Sequence, residues 1–338
     1  MASVTCAKTK IKINFIKQNI YMSIIRDIYE GSTLLKRVWR KYVNHKRMRY
    51  LHNDPRPLIN AEYKSVFGKN INWDNPRDLI EKIDWLQVYS DTSLWTLCAD
   101  KYRVREYVES KGCSEILNEL YGVWDKPEDI EWDKLPDSFV MKTNNSCGQI
   151  LIVRDKKTFD KAQAIRDLTE WMRTPYGIHN AQLHYIKIKP CIIAERLLID
   201  NANPDTSLVD YKIWCFHGKP ECILVAYDRG VGHYSLSMYD TSWNNISEKA
   251  LNKGSAHYSG NDCPKPTSLE RMLEYAERLS ADFPEVRVDF YEIKGEPIFG
   301  ELTFTTGFGS YNKEFYDFLG DKVDLNHVKR LGSINTLR

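Results

Sequence analysis

Val286-Arg-Val-Asp-Phe-Tyr-Glu-Ile293 is followed by Lys294-Gly-Glu-Pro297 and then by Ile298-Phe-Gly-Glu-Leu-Thr303. Both apolar-rich runs read as strands, and Gly295-Glu-Pro297 reads as the turn between them. Side chains two apart on a strand share a face. Arg287 and Asp289 therefore lie together, and so do Glu301 and Thr303. Pairing of the strands could bring those faces together and assemble two carboxylates, a hydroxyl and a guanidinium. Such an oxygen cluster suits Mg²⁺ carrying nucleotide phosphates, with the arginine adding charge at a transferred phosphoryl group. A solvated hairpin face with surface ion pairs fits the same residues when the hairpin is taken alone.

Working outward, Ser138-Phe-Val-Met-Lys142 reads as a strand, Thr143-Asn-Asn-Ser-Cys-Gly148 as a polar tip, and 149–154 as the return strand. Further strands are expected over 191–198, 209–216 and 221–227, with His217-Gly-Lys-Pro220 a tight turn between the last two. Helices are expected over 33–50, 77–89, 158–173 and 268–280. Asp100 could cap a helix carrying Tyr102, Val104, Tyr107 and Val108, which Gly112 stops. Asp54-Pro-Arg-Pro57 reads as a polar, proline-containing stretch. Hairpins mixed with helices point to an α+β fold with antiparallel sheets.

Three features besides the closing hairpin bear on chemistry. Lys142 ends an apolar strand just before a small polar loop, whose N–H groups could cradle phosphates while the lysine reaches them from below. The G-x-x-x-x-G-K-[ST] pattern is absent, and an ordinary hairpin tip is the competing reading. Glu195 interrupts the run Cys191-Ile-Ile-Ala-Glu-Arg-Leu-Leu198, and an acid there needs a partner. A ribose hydroxyl or a neighbouring base such as Arg196 would serve. Asp210 and Lys212 alternate on one strand, so Lys212 either faces phosphate or pairs with Asp210.

The chain has 338 residues, 42% of them apolar and 28% charged, which is a globular composition with material for two domains. Its apolar runs fall far short of the ~20 residues that span a bilayer, and the basic N-terminus lacks the apolar stretch of a signal peptide. The 8 Cys are scattered without C-x-x-C spacing, which favours reduced thiols over zinc or disulfides. The net charge of +2 divides unevenly: residues 1–50 hold 12 Lys/Arg against Asp27 and Glu30, a balance of +10, and the remainder carries −8. Over 33–50, Leu35, Val38, Trp39 and Tyr42 make an apolar stripe beside Lys36, Arg37, Arg40 and Lys41. That stripe either packs on its own domain or lies on an anionic membrane surface. A nucleic-acid arm fits poorly, because few aromatics interleave the basic residues.

The order Lys101, Lys142, Gly148, Glu195, Lys212, Arg287-x-Asp289, Glu301-x-Thr303 resembles the ATP-grasp superfamily. Local stretches are closer still to the TupA-like ATP-grasp family, associated with teichuronopeptide and surface-polysaccharide synthesis. They include Glu81-Lys-Ile-Asp-Trp-Leu86, Ala99-Asp-Lys-Tyr-Arg-Val-Arg-Glu-Tyr-Val108, Leu135-Pro-Asp-Ser-Phe-Val-Met-Lys-Thr-Asn-Asn145 and Asp210-Tyr-Lys-Ile-Trp-Cys-Phe-His-Gly218. The resemblance covers about residues 77–310.

It implies an ATP-grasp fold in which two α+β subdomains grip ATP between antiparallel sheets. A basic, largely helical extension over 1–76 would precede a first part over 77–194, a second subdomain over 195–310 and a tail over 311–338. By position, Lys101 and Lys142 would contact ATP phosphates under a loop of Asn144, Asn145, Ser146, Cys147 and Gly148. Glu195 would bind the adenosine end, Lys212 the nucleotide or phosphates, and Arg287 the transferring phosphoryl group. Asp289 and Glu301 would hold Mg²⁺, with Thr303 as a further, poorer metal ligand where many relatives have Asn. The implied activity is an ATP-dependent carboxylate–amine ligase that forms an amide through an acyl phosphate. The implied substrates are a uronic acid or acidic polymer and an amine, in the cytoplasm or at the inner membrane face. A sugar kinase and a non-catalytic nucleotide-binding scaffold are the alternatives.

Overall fold

The computed structural model describes residues 33–173, 176–199, 207–230, 233–305 and 307–337. Packing divides the chain into Met1–Tyr50 and Leu51–Arg338. The first unit contributes most of helix α1 (Thr33–Asn53). Val38, Trp39 and Tyr42 are exposed on it, with the Trp39 and Tyr42 rings 5.7 Å apart. The basic lead over 1–20 and the side chains of Leu35, Lys36, Arg37, Arg40 and Lys41 lie outside the described residues.

Helix α2 (Arg56–Phe67) starts inside the proline-containing stretch. Pro57 occupies its first turn, where a missing N–H leaves no intrahelical bond unmade. Helix α3 (Leu79–Tyr89) starts where Asp78 accepts the Glu81 N–H at 2.9 Å. Glu81 reaches back to accept the Arg77 N–H at 2.8 Å. This reciprocal cap pins the first turn. Helices α4 (Ser93–Ala99) and α5 (Val104–Ser110) follow. Asp100 accepts from the N–H groups of Tyr102 and Arg103 in the turn leading into α5.

The first sheet contains β1 (Leu120–Trp124), β2 (Phe139–Thr143), β3 (Ile150–Val153) and β4 (Ile192–Glu195), in the order β1-β4-β2-β3 with every pair antiparallel. On β2, Phe139 and Met141 turn into a core with Val153, Ile192 and Leu168 of helix α6 (Lys161–Arg173). Val140 and Lys142 turn the other way. Helix α7 (Leu183–Ile186) is one turn long. Strand β1 is absent from the sequence reading, because Leu-Tyr-Gly-Val-Trp shows no polar alternation and carries a glycine.

The second sheet contains β5 (Asp210–Phe216), β6 (Lys219–Gly230), β7 (His233–Asp240), β8 (Glu285–Ile293) and β9 (Glu296–Thr303). Its order is β7-β6-β5-β8-β9, again antiparallel throughout. Helix α8 (Ser247–Ala250) follows β7, and helix α9 (Leu269–Ser280) packs Met272, Tyr275, Ala276 and Leu279 against β5, β6 and β8. The turns are tighter than the sequence reading. His217 and Gly218 have φ of 48° and 77°, and Lys294 and Gly295 have φ of 54° and 79°. Two positive values in succession define the two-residue turn that matches strand twist. Lys219 and Pro220, and likewise Glu296 and Pro297, therefore already belong to strands.

The expected tail contains helix α10 (Lys313–Lys322), and beyond it the Leu331 and Asn335 N–H groups donate to Tyr89 and Val88 of α3 at 2.8 and 2.7 Å. The implied boundary at 76 falls between α2 and α3 of one packed unit.

Candidate active site

Residue pairing on β8–β9 runs from Ile293 opposite Glu296 to Phe290 opposite Phe299, then shifts so that Asp289 faces Glu301. The extra residue is Gly300. Without this bulge Asp289 would face Gly300, and Glu301 would turn to the opposite side of the sheet with Val288. A one-residue slip moves every side chain to the other face, so the bulge is what places both carboxylates together. Glycine is required there by space: a Cβ would lie 2.9 Å from the Asp289 carbonyl oxygen.

Lys212 of β5 lies directly opposite Asp289. Lys212, Asp289 and Glu301 thus form a row across three strands. Lys212 Nζ donates to Asp289 Oδ2 at 2.6 Å and sits 2.7 Å from Asp210 Oδ2. Arg287 grips both oxygens of Asp289, with Nε and Nη2 each at 2.7 Å. Its Nη2 also donates to Thr303 Oγ1 at 3.2 Å, and Thr303 donates onward to Glu301 Oε1 at 3.2 Å. Lys101 Nζ donates to Glu301 Oε2 at 3.3 Å.

These contacts decide ionisation. Burial pushes the Glu301 carboxyl up, but Lys101, Lys212 and Arg287 outweigh it and bring its pKa down to about 2. Burial pulls the Lys212 ammonium down, yet Asp289 and Asp210 leave it raised. At Asp289 burial prevails over Arg287 and Lys212 and raises the carboxyl above its usual range.

The row borders a cleft of about 620 Å³ lined by residues of both sheets. That is the size of a small-molecule site. From the first sheet, Lys142 and Glu195 line it, 2.7 Å apart as an ion pair. Glu195 stands directly opposite Val140, so it is diagonal to Lys142 on the same face. Arg105 approaches Glu195 at 3.8 Å. The partners of Glu195 are therefore Lys142 and Arg105, not the adjacent Arg196.

Lys101, Ser146, Cys147, Gly148, Lys212, Arg287, Asp289 and Glu301 line the cleft as well. Asn144 and Asn145 are buried away from its lining. Asn144 is a brace: its Oδ1 accepts the Cys191 N–H at 2.8 Å, its Nδ2 donates to the Lys189 carbonyl at 3.1 Å, and its own carbonyl accepts the Lys101 N–H at 3.0 Å. Thr303 is likewise outside the lining and joins Arg287 to Glu301. Arg229, Arg154 and Tyr291 line the cleft without having been singled out from sequence. Arg229 reaches Asp210 Oδ2 at 2.6 Å from the far end of β6, and no local pattern signals that contact.

Among the described residues no group of three or more His, Cys, Asp or Glu is arranged to hold a metal. Asp289 and Glu301 are two carboxylates side by side. Mg²⁺ is commonly held by one or two carboxylates, with waters and substrate phosphates completing its octahedron. The donor set fits that mode and no all-protein cage.

A cleft lined by two antiparallel sheets, with this row of cations and carboxylates on one of them, is the arrangement of an ATP-grasp protein. The chain belongs to the TupA-like ATPgrasp family, whose profile matches residues 81–324. Among solved structures it is similar to D-alanine–D-alanine ligase from Bacillus anthracis complexed with ATP. That likeness has 17% identity, covers 68% of this chain and 61% of that one, and has a TM-score of 0.39. D-alanyl-alanine synthetase A from Vibrio cholerae has 12% identity, coverage of 73% and 70%, and a TM-score of 0.42. L-amino acid ligase from Bacillus licheniformis has 15% identity, coverage of 72% and 52%, and a TM-score of 0.39. The chain thus spans about three fifths of the first of these structures. No curated protein matches it. No helix among the described residues is long and apolar enough to cross a membrane.

Proposed function

We propose that the cleft binds ATP with Mg²⁺ and that the protein is an ATP-dependent carboxylate–amine ligase. The observation that carries this is the row Lys212–Asp289–Glu301, with Arg287 bonded to Asp289 and with Lys101, Lys142, Ser146, Cys147 and Gly148 lining the same cleft. Phosphoryl transfer is mostly positioning and charge stabilisation. A γ-phosphoryl group moving to a substrate carboxylate gives ADP and an acyl phosphate. An amine then attacks the acyl carbon, phosphate leaves, a proton is lost, and an amide remains. Lys101, Lys142 and Lys212 neutralise phosphate oxygens, and Arg287 stabilises the group in flight. Asp289 and Glu301 would hold Mg²⁺, which supplies charge neutralisation at the phosphates when bound. Thr303 orients Glu301 and Arg287 for that task. Glu195, joined to Lys142, serves the adenosine end.

For the carboxylate we favour a uronic acid of a bacterial surface polysaccharide or its precursor, with an amino acid or amino alcohol as the amine. The family's association with such polymers supports this choice. The test is an ADP-release screen of uronic acids against amines, with mass spectrometry of products. A sugar-amide mass with one phosphate released per amine consumed is the expected result. A phosphorylated sugar without amine consumption would make the protein a kinase.

The N-terminal unit supports a second partner, an anionic membrane surface at the inner face. Its sequence carries +10, and Val38, Trp39 and Tyr42 are exposed together on α1. Each cation near an anionic surface contributes about 1 kcal/mol, weakened by salt. Sedimentation with anionic vesicles, reduced by salt and lost on removal of 1–50, is expected. Failure of the full-length chain to sediment would end this reading.

A further inference from the structure

Lys212 is held by two carboxylates of unlike character. Its Nζ lies 2.6 Å from Asp289 Oδ2 and 2.7 Å from Asp210 Oδ2. Asp289 is also gripped by Arg287 and stands beside Glu301 in the row. Asp210 is two residues from Lys212 on the same strand face. Its Oδ2 also takes Arg229 at 2.6 Å, while its buried Oδ1 has no hydrogen-bond partner. An ammonium has three donors. One of those on Lys212 is given to Asp289, which belongs to the pair suited to a divalent cation, and Asp210 holds the same ammonium as an ion pair. Lys101 shows the same conflict, since it bonds Glu301.

We propose that Asp210 is a positioning residue, which retains Lys212 in the cleft while Lys212 changes partner from Asp289 to nucleotide phosphate. This rests on the nucleotide-binding reading above. Without a divalent cation, Asp289 and Glu301 occupy the ammonium groups that phosphates need. They also repel the phosphates by like charge. If Asp289 and Glu301 held a divalent cation, it would supply the positive charge they now take from Lys212 and Lys101, and both ammonium groups would be free for phosphate. Asp210, which is not one of that pair, keeps Lys212 from swinging away. Metal and nucleotide binding are then coupled, and linkage makes the coupling reciprocal.

Calorimetry of ATP binding, with EDTA and with Mg²⁺, tests this on the full chain. Asp289→Asn should bind metal-free ATP at least ten-fold more tightly than wild type, and Mg²⁺ should add little further. Asp210→Asn should not tighten metal-free ATP. It should weaken Mg²⁺-ATP at least five-fold, with Asp210→Glu recovering part of the loss. A general charge effect would tighten metal-free ATP alike in both Asn variants, and that result would overturn the proposal. So would a metal-free affinity in Asp289→Asn no better than wild type, or unchanged Mg²⁺-ATP affinity in Asp210→Asn. Should Asp210→Asn not fold, the Lys212→Met background replaces it: there Asp289→Asn should lose most of its ten-fold gain, and a retained gain refutes the exchange. Wild type that ignores ATP with Mg²⁺ would sink the nucleotide reading itself. Wild type that binds it while the variants behave alike would sink this inference alone.

Discussion

In the β8–β9 hairpin the cleft-facing polar groups are bound to one another; in the β2–β3 hairpin much of the cleft-facing surface is bare. Arg287 bonds Asp289 directly and is linked to Glu301 through Thr303, which lies outside the lining. Ile150 and Ile152, on the edge strand β3, are exposed, as are Cys147 and Gly148 at the tip. A prearranged charge set costs no reorganisation when phosphoryl charge shifts. An open apolar strand and a loop tip suit a face that closes over a ligand. Under the proposed function the two hairpins would divide the work: one would fix the chemistry, the other would adapt to the nucleotide.

That division is broken most directly at Glu301. Glu301→Gln keeps shape and removes the charge on which Lys101, Arg287 and Thr303 converge. Turnover should fall roughly 10²–10³-fold, the scale of losing one prearranged electrostatic partner, with a near-native melting temperature. Wild-type turnover with the same Mg²⁺ dependence would remove Glu301 from the metal site.

Gly300 tests whether the bulge is what joins the carboxylates. Its Cβ would meet the Asp289 carbonyl oxygen at 2.9 Å, so backbone must move. Gly300→Ala should lose about 1–3 kcal/mol of stability, the usual cost of forcing atoms into a packed site, and most of its turnover. Denaturant titration and steady-state ADP release measure the two. Unchanged turnover would mean that Glu301 does not depend on the bulge.

Much of this hairpin was legible in the sequence. Period-two alternation placed Arg287 with Asp289 and Glu301 with Thr303, and a short turn made their meeting plausible. The bulge that brings the two pairs onto one face was not legible, since Gly300 alone does not announce an extra residue. The same limit applies elsewhere. Asp210 and Lys212 were readable as neighbours, but Arg229 reaches them through the length and register of β6. Asn144 read as part of a phosphate loop, but its hydrogen bonds to Lys189 and Cys191, distant in sequence, could not be read. Helix α2 was hidden by Pro55 and Pro57, because proline at a helix start and in a loop looks alike without the tertiary contacts that choose between them.

A third test contrasts the satisfied polar cluster with an unsatisfied group close by. Phe304, directly after Thr303, lies 6.1 Å from the ring of His184, which Trp95 and Tyr185 also contact. Neither His184 nitrogen has a hydrogen-bond partner, and burial lowers its pKa from 6.5 to about 3. The unfolded chain takes up this proton as pH falls below 6.5, while the native state resists until about pH 3. Stability should therefore drop with falling pH across that window, by about 1.4 kcal/mol per pH unit from this group. Glu301 acts in the same direction over a lower, overlapping window: with a native pKa of about 2 against 4.5, its contribution is intact above 4.5 and disappears as pH falls toward 2. His184→Phe should flatten the slope between pH 6.5 and 5 in denaturant titrations. An unchanged slope would assign the acid sensitivity to other groups.

The smallest effect is expected at the tip of the open hairpin. Gly148 has φ of 75°, and a Cβ there would have nothing within 4 Å. Gly300 is the reverse case, where space and not backbone conformation excludes a side chain. Gly148→Ala should thus cost only the left-handed penalty, about 1–2 kcal/mol, and should shift the loop slightly. Because Ser146, Cys147 and Gly148 line the cleft, the shift should appear as a few-fold rise in KM for ATP. The turnover number should stay within two-fold of wild type, roughly 0.4 kcal/mol of barrier, since the charge row on β5, β8 and β9 is untouched. A loss of turnover as large as that of Gly300→Ala would show that the tip, too, is part of the prearranged chemistry, and the contrast between the hairpins would have to be redrawn.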